Sequence, residues 1–131
     1  MQKDIDYKIT TGSNRPIDQF GYEVTIEAKK RHTLFNKNMG HVTMRAFDVD
    51  SEGKINGTAE LFSVGTDPKY QKQGVGREMV EEAVDLARSR GAKQVDLYAL
   101  PDAIEFYEKL GFTRREGTNV LVKNLEELED T

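Results

Sequence analysis

The stretch Val64-Gly-Thr-Asp-Pro-Lys-Tyr-Gln-Lys-Gln-Gly-Val-Gly-Arg77 has the residue types to hold an anion. A glycine-rich turn leading into a helix aims free backbone N–H groups and the positive end of the helix dipole at one spot. Gly74 and Gly76 would let an anion approach the backbone closely, and Lys72 and Arg77 would add charge. Two other phosphate loops are excluded. A P-loop needs Lys-Ser or Lys-Thr after its last glycine, and a dinucleotide fingerprint needs a third small residue where Met79 stands.

Four titratable side chains stand out. Tyr107 and Glu60 are placed among apolar neighbours, and His32 and His41 are the chain's two histidines. Each also has a plainer reading: Tyr107 as a core tyrosine on a helix face, Glu60 as a solvated or ion-paired strand residue, and the histidines as structural or exposed groups. Phe106 and Phe112 beside the tyrosine read as core aromatics.

The turn also fits Gln/Arg-x-x-Gly-x-Gly/Ala, as Gln71-Lys72-Gln73-Gly74-Val75-Gly76, with Ala103-Ile-Glu-Phe-Tyr-Glu-Lys-Leu-Gly-Phe112 downstream. The two segments in this order resemble the GNAT superfamily of acyl-CoA-dependent N-acyltransferases, over roughly Ile55 to Phe112. The resemblance implies that acetyl-CoA is the cosubstrate. It assigns the coenzyme pyrophosphate to the backbone of Gln71, Lys72, Gln73, Gly74, Val75, Gly76 and Arg77. It also implies that Val64 and Thr66 pair with the pantetheine arm and polarise the thioester carbonyl. Tyr107 takes the place of the family's tyrosine acid, which protonates the leaving thiolate. Glu60, eleven residues before Gln71, matches the spacing of the general-base glutamate in the histone-acetylating branch, although many members use water chains instead.

The chemistry needs such groups. A lysine amine with pKa ~10.4 is only about 0.04% neutral at pH 7, a deficit of roughly 4.6 kcal/mol that a base or a desolvating site must offset. A hydroxyl donor eases departure of the thiolate. The sequence departs from the family at Leu100-Pro101-Asp102, where many members carry an asparagine that bonds the pantetheine.

These residues need a scaffold, and the hydropathy pattern outlines one. Tyr22, Val24, Ile26 and Ala28 alternate with polar residues at the period of a strand. Val42 to Asp50 and Ile55 to Thr66 also read as extended, joined by turn chemistry at Asp50-Ser51-Glu52-Gly53. From Gly74 the period changes to three and four: Met79, Val80, Ala83, Val84 and Ala87 predict an amphipathic helix that Gly91 closes. A strand at Gln94 to Ala99, a helix opened by Pro101-Asp102 and stopped at Gly111, and strands at Phe112 to Arg115 and Asn119 to Lys123 complete the reading. The expected fold is α/β, a GNAT-like single domain over residues 1–123, with a mixed, mostly antiparallel sheet and helices packed on it. Residues 124–131 read as an acidic tail.

Composition narrows the rest. The chain has 131 residues, a net charge of -4 and no cysteine, which excludes disulfides, cysteine nucleophiles and most structural zinc or iron–sulfur sites. No metal is expected. Without cysteine no thiol carries the acyl group, so direct transfer in a ternary complex is the expected route. Glu126, Glu127, Glu129 and Asp130 equal the whole net charge, and Lys29-Lys30-Arg31-His32 is the one compact basic run. Neither suggests a nucleic-acid partner. No apolar stretch is long enough to span a bilayer and none resembles a secretion signal, so a cytoplasmic protein is expected. An exposed edge strand offers a route to a homodimer. Only eleven residues separate Thr10 from Tyr22, too few for the helix pair the family places after its first strand. An open acceptor side follows, suited to a protein lysine or N-terminus. The competing expectation is a non-catalytic module that binds coenzyme A or a protein partner.

Overall fold

A computed structural model describes residues 7–31, 37–68, 71 and 73–126. His32, Tyr70, Lys72 and the tail beyond Glu126 lie outside the described residues.

Alternation builds the first strands. β1 (Tyr7–Thr11), β2 (Arg15–Pro16), β3 (Tyr22–Lys30), β4 (Lys37–Ala46) and β5 (Thr58–Thr66) are antiparallel neighbours, with β2 pairing to β3 alongside β1. In β3 the residues Val24, Ile26 and Ala28 are fully buried, while Thr25 between them faces solvent. The turn between β4 and β5 is held by Asp50, whose carboxylate accepts from the N–H of Glu52 at 2.8 Å and of Lys54 at 2.9 Å. Residues 12–21, between β1 and β3, contain β2 and no helix.

The change of period at Gly74 produces α1 (Val75–Ser89), whose buried face is Val75, Met79, Val80, Ala83, Val84 and Ala87. It packs on β3, β4 and β5. Burying side chains such as Ile26, Met44, Leu61 and Met79 contributes about 1.5–3 kcal/mol each before entropy is counted. At its start, the Tyr7 hydroxyl donates to the Glu78 carboxylate, tying β1 to the first turn. At its end Gly91 takes φ 97° and the N–H of Ala92 returns to the Ala87 carbonyl. β6 (Gln94–Tyr98) then runs parallel to β5, and β8 (Val120–Asn124) pairs antiparallel with both β6 and β7 (Thr113–Arg114). The sheet order is β1-β3-β4-β5-β6-β8-β7. This is the expected α/β arrangement, a mixed and mostly antiparallel sheet with helices on it.

Two boundaries differ from expectation. The second helix, α2 (Ile104–Glu108), is only five residues long and is preceded by a 3-10 turn at Pro101–Ala103. The ordered core also extends beyond Lys123. Asn124 ends β8, and Leu125 is 5% exposed, its N–H bonded to the Lys93 carbonyl at 2.9 Å. The physical reason is that Leu125 is apolar and joins the buried core.

Candidate functional site

β5 pairs with β4 as far as Thr66, but with β6 only from Thr58 to Leu61. Beyond Leu61 the parallel pair separates, so Phe62–Thr66 presents a strand edge with no neighbour on the β6 side. A bulge accompanies the split. Between the pairs Thr43↔Phe62 and His41↔Gly65, β5 advances three residues while β4 advances two. Ser63 absorbs the extra length with φ 59°, the only positive φ at a non-glycine position among the described residues. An unmatched residue of this kind bends a strand and increases its twist, which turns the end of β5 away from β6.

The split forms a cleft of about 250 Å³ lined by Val64 on one wall, Leu97 and Ala99 on the other, and Tyr107 of α2. Tyr107 is 6% exposed and meets Phe106 and Phe112 edge-to-face, with ring centroids at 4.9 and 5.9 Å. It is both a packed aromatic and a wall of the cleft. Burial pushes its phenol up to about 12, so it holds its proton throughout the neutral range. Phe112 is a core aromatic as expected. Phe106 is not: it is 38% exposed and leans over the start of α1, where a Cβ on Gly76 would lie 3.7 Å from its Cζ.

The glycine turn sits at the open end of the same strand. Gly74 is the N-cap of α1 at φ 87°, a conformation that strains any residue with a Cβ, and no side chain caps the helix. The first bond inside the helix runs from the N–H of Glu78 to the Gly74 carbonyl at 3.0 Å. Gln71 anchors the turn, its side-chain amide donating to the Thr66 carbonyl at 3.1 Å. The Val75 side chain is fully buried, which leaves that residue only its backbone to offer a ligand. Gln73 is half-buried and Arg77 exposed. The structure therefore brings Val64, Thr66, Gln71, Gly74, Val75, Gly76 and Arg77 along one path from the cleft to the helix end. Lys72 is outside the described residues.

Glu60 lies off this path. Its neighbours Ala59 and Leu61 are buried toward α1, so by alternation it projects from the opposite face. There it lines a second cavity of about 520 Å³ with Asp96, Tyr98 and Arg115. Leu61, Phe62, Ser63, Leu97 and Tyr98 line both cavities, so the two meet where β5 and β6 part. The ion-paired reading of Glu60 is not realised. Arg45, across from it on β4, bonds Glu23 at 3.2 Å and stacks on Phe62 at 3.6 Å, and among the described residues no ion pair or hydrogen bond engages the Glu60 carboxylate. His41 sits on β4 with Nε2 3.0 Å from the Ser63 hydroxyl. His32 is outside the described residues.

Sequence reading missed Ser63 and Asp96. Asp96 was legible in principle, since it alternates with buried Val95 and Leu97. Nothing in the sequence marks the bulge at Ser63.

A model of the acetyltransferase (GNAT) family matches residues 14–112. The chain belongs to this family. Among curated GNAT relatives, a mycothiol acetyltransferase of Streptosporangium roseum is 45% identical over 58 residues, which is 42% of this chain and 17% of that protein. A ribosomal-protein alanine N-acetyltransferase of Escherichia coli is 40% identical over 57 residues, 41% of this chain and 38% of that enzyme. The chain thus spans well under two thirds of these relatives. Among solved structures, a GNAT family N-acetyltransferase from Escherichia coli in complex with CoA superposes with a TM-score of 0.67 at 19% identity, covering 95% of this chain and 84% of that one. The PaiA N-acetyltransferase of Thermoplasma acidophilum, in complex with coenzyme A, gives 0.58 at 18% identity over 78% and 60%. At these identities the likeness is one of fold. Among the described residues no helix is long and apolar enough to cross a membrane, and no three histidine, aspartate or glutamate side chains are grouped to hold a metal ion.

Proposed function

We propose that this GNAT protein transfers an acetyl group from acetyl-CoA to a primary amine by direct attack in a ternary complex. The observation that carries the reading is the unpaired edge of β5 at Phe62–Thr66, which faces a cleft with Tyr107 in its wall and ends at an uncapped helix N-terminus. A pantetheine arm has amides that can pair with such an edge as an added strand, and its pyrophosphate then reaches the backbone from Gln71 to Arg77. The thioester would lie near Val64. The amine nitrogen attacks its carbonyl carbon, the C–S bond breaks, and the Tyr107 hydroxyl donates to the departing sulfur.

The acceptor enters from the other face, through the cavity lined by Glu60, and Glu60 takes the proton that the ammonium form must lose before attack. The fold is a reduced form of the family, because no helix stands between β1 and β3 to cover that face. An uncovered cavity suits a lysine or N-terminus presented by another protein. A relative named for acetylating an alanine of a ribosomal protein supports that choice. We further place the protein in the cytoplasm, as a single GNAT-like domain.

The test is thiol release from acetyl-CoA by the purified chain, with a panel of peptides and small polyamines as acceptors. Release with peptides supports the reading, and efficient turnover of polyamines alone overturns the acceptor class. The exposed rim at Tyr98 and Leu100, 70% and 67% accessible, favours a second reading, a non-catalytic module that holds coenzyme A and a protein partner. Coenzyme binding without release against any amine would select it.

A further inference from the structure

Resting on that reading, we infer that Ser63 and His41 form the route by which the attacking amine loses its proton during acyl transfer. Ser63 is one of the five residues that line both cavities, so coenzyme and acceptor would join beside it. It is held there at a cost. A serine at φ 59° occupies a region that side chains disfavour, and the fold keeps it at the bulge that opens the cleft. The hydroxyl has a partner suited to proton transfer, His41 Nε2 at 3.0 Å, within the range that joins a hydroxyl to a base.

An ammonium acceptor sheds two protons on its way to an amide, and Glu60 accounts for the first. The second leaves as the C–N bond forms: the amine N–H passes its proton to Ser63 Oγ while the serine's own proton moves to His41 Nε2. The C–S bond then breaks with the Tyr107 hydroxyl hydrogen-bonded to the sulfur, and the thiolate takes up one proton from water. The imidazolium gives its proton to water. Ser63 touches the substrate and is the catalytic residue of the pair. His41 acts through it and is a positioning and proton-holding residue.

The backbone supplies a clean test. Ser63→Gly removes the hydroxyl while installing the residue that φ 59° favours, so the variant folds at least as well as the parent. We expect kcat to fall about 100-fold, with KM for acetyl-CoA unchanged and the melting temperature unchanged or raised. His41→Ala should lose a similar factor and regain part of it with added imidazole. The double variant should be no slower than either single variant and should not respond to imidazole, because both residues serve one route. Full activity in Ser63→Gly, or losses that multiply in the double variant, would overturn the route while leaving the acetyltransferase reading intact. An acetyl adduct on Ser63 after incubation with acetyl-CoA alone would also overturn it, in favour of a serine acyl carrier. If the parent chain releases no thiol with any amine, the functional reading fails and the route fails with it.

Discussion

Thr66 at the end of β5 and Gly76 in the first turn of α1 approach so closely that a Cβ on residue 76 would lie 3.2 Å from the Thr66 hydroxyl. With Phe106 Cζ at 3.7 Å as well, a branched side chain at residue 76 would press on both the strand end and the aromatic ring. Gly76→Val should therefore weaken coenzyme A binding by more than tenfold in calorimetry, by moving the helix N-terminus off the strand.

Gly74 should behave differently, although it belongs to the same motif. Among the described residues a Cβ there would meet only the Arg77 guanidinium, at 3.9 Å, so space is not the constraint. Its φ of 87° is. Gly74→Ala should cost about 1–2 kcal/mol of stability in chemical denaturation through backbone strain. Coenzyme affinity should fall less than in Gly76→Val, and an equal loss in both variants would show that Gly74 too is needed for close approach.

Tyr107 gives a prediction with a sign that can be checked. Its phenol is raised by burial to about 12, above the ordinary value of 10 that applies to the unfolded chain. Its contribution to stability is complete below pH 10 and is lost as pH rises toward 12, because the unfolded chain ionises first. Tyr7, raised to about 12 by burial and then by its bond to Glu78, acts in the same direction. Alkaline unfolding should begin near pH 10, and Tyr107→Phe should soften it. In catalysis the raised value means that complete proton transfer to a thiolate of ordinary basicity, near ~8.5, is uphill. The benefit is then a hydrogen bond to the sulfur as it leaves, and Tyr107→Phe should lower kcat about 10- to 100-fold with coenzyme affinity unchanged. A loss of affinity equal to the loss of rate would make Tyr107 a packing residue only.

Glu60 tests the acceptor side. Its carboxylate has no protein partner among the described residues, so Glu60→Gln removes a charge without orphaning a cation. Stability should change by less than about 0.5 kcal/mol. The rate should fall about 100-fold at neutral pH and recover as pH rises, since more of the acceptor is then already neutral. A pH-independent loss would remove Glu60 from proton transfer.

What could be read beforehand was what local sequence encodes. The two-residue period of Tyr22 to Ala28 and the three-four period from Met79 to Ala87 are properties of a strand and a helix taken alone, and both elements formed where those periods predict. The glycine turn was legible for the same reason, because Gly74 at φ 87° and the helix after it are neighbours in the chain. The split between β5 and β6 was not. It depends on an extra residue at Ser63 measured against β4, a comparison between strands that no single segment contains. β2 was missed because Arg15 and Pro16 have no alternation to show, and their pairing with Tyr22 and Glu23 is imposed by the sheet. Glu60 alternates with buried Ala59 and Leu61 and so leaves the sheet on its other face, which is why two residues with matching motif spacing line different cavities.

Leu125 is the remaining place where charge pattern misled. It stands among acidic residues, and composition alone assigns it to a dispensable tail. The structure buries it to 5% exposure and bonds its N–H to Lys93 at 2.9 Å, which fastens the end of β8 to the entry of β6. β6 is one wall of the cleft, so this contact supports the site from a distance. Leu125→Ala should cost about 2 kcal/mol, the lower end for removing a buried leucine, because its site at the rim of the core can partly refill with water. The expected reading is a melting temperature several degrees lower, with kcat unchanged in protein that remains folded. A variant as stable as the parent would return residues from Asn124 onward to the tail.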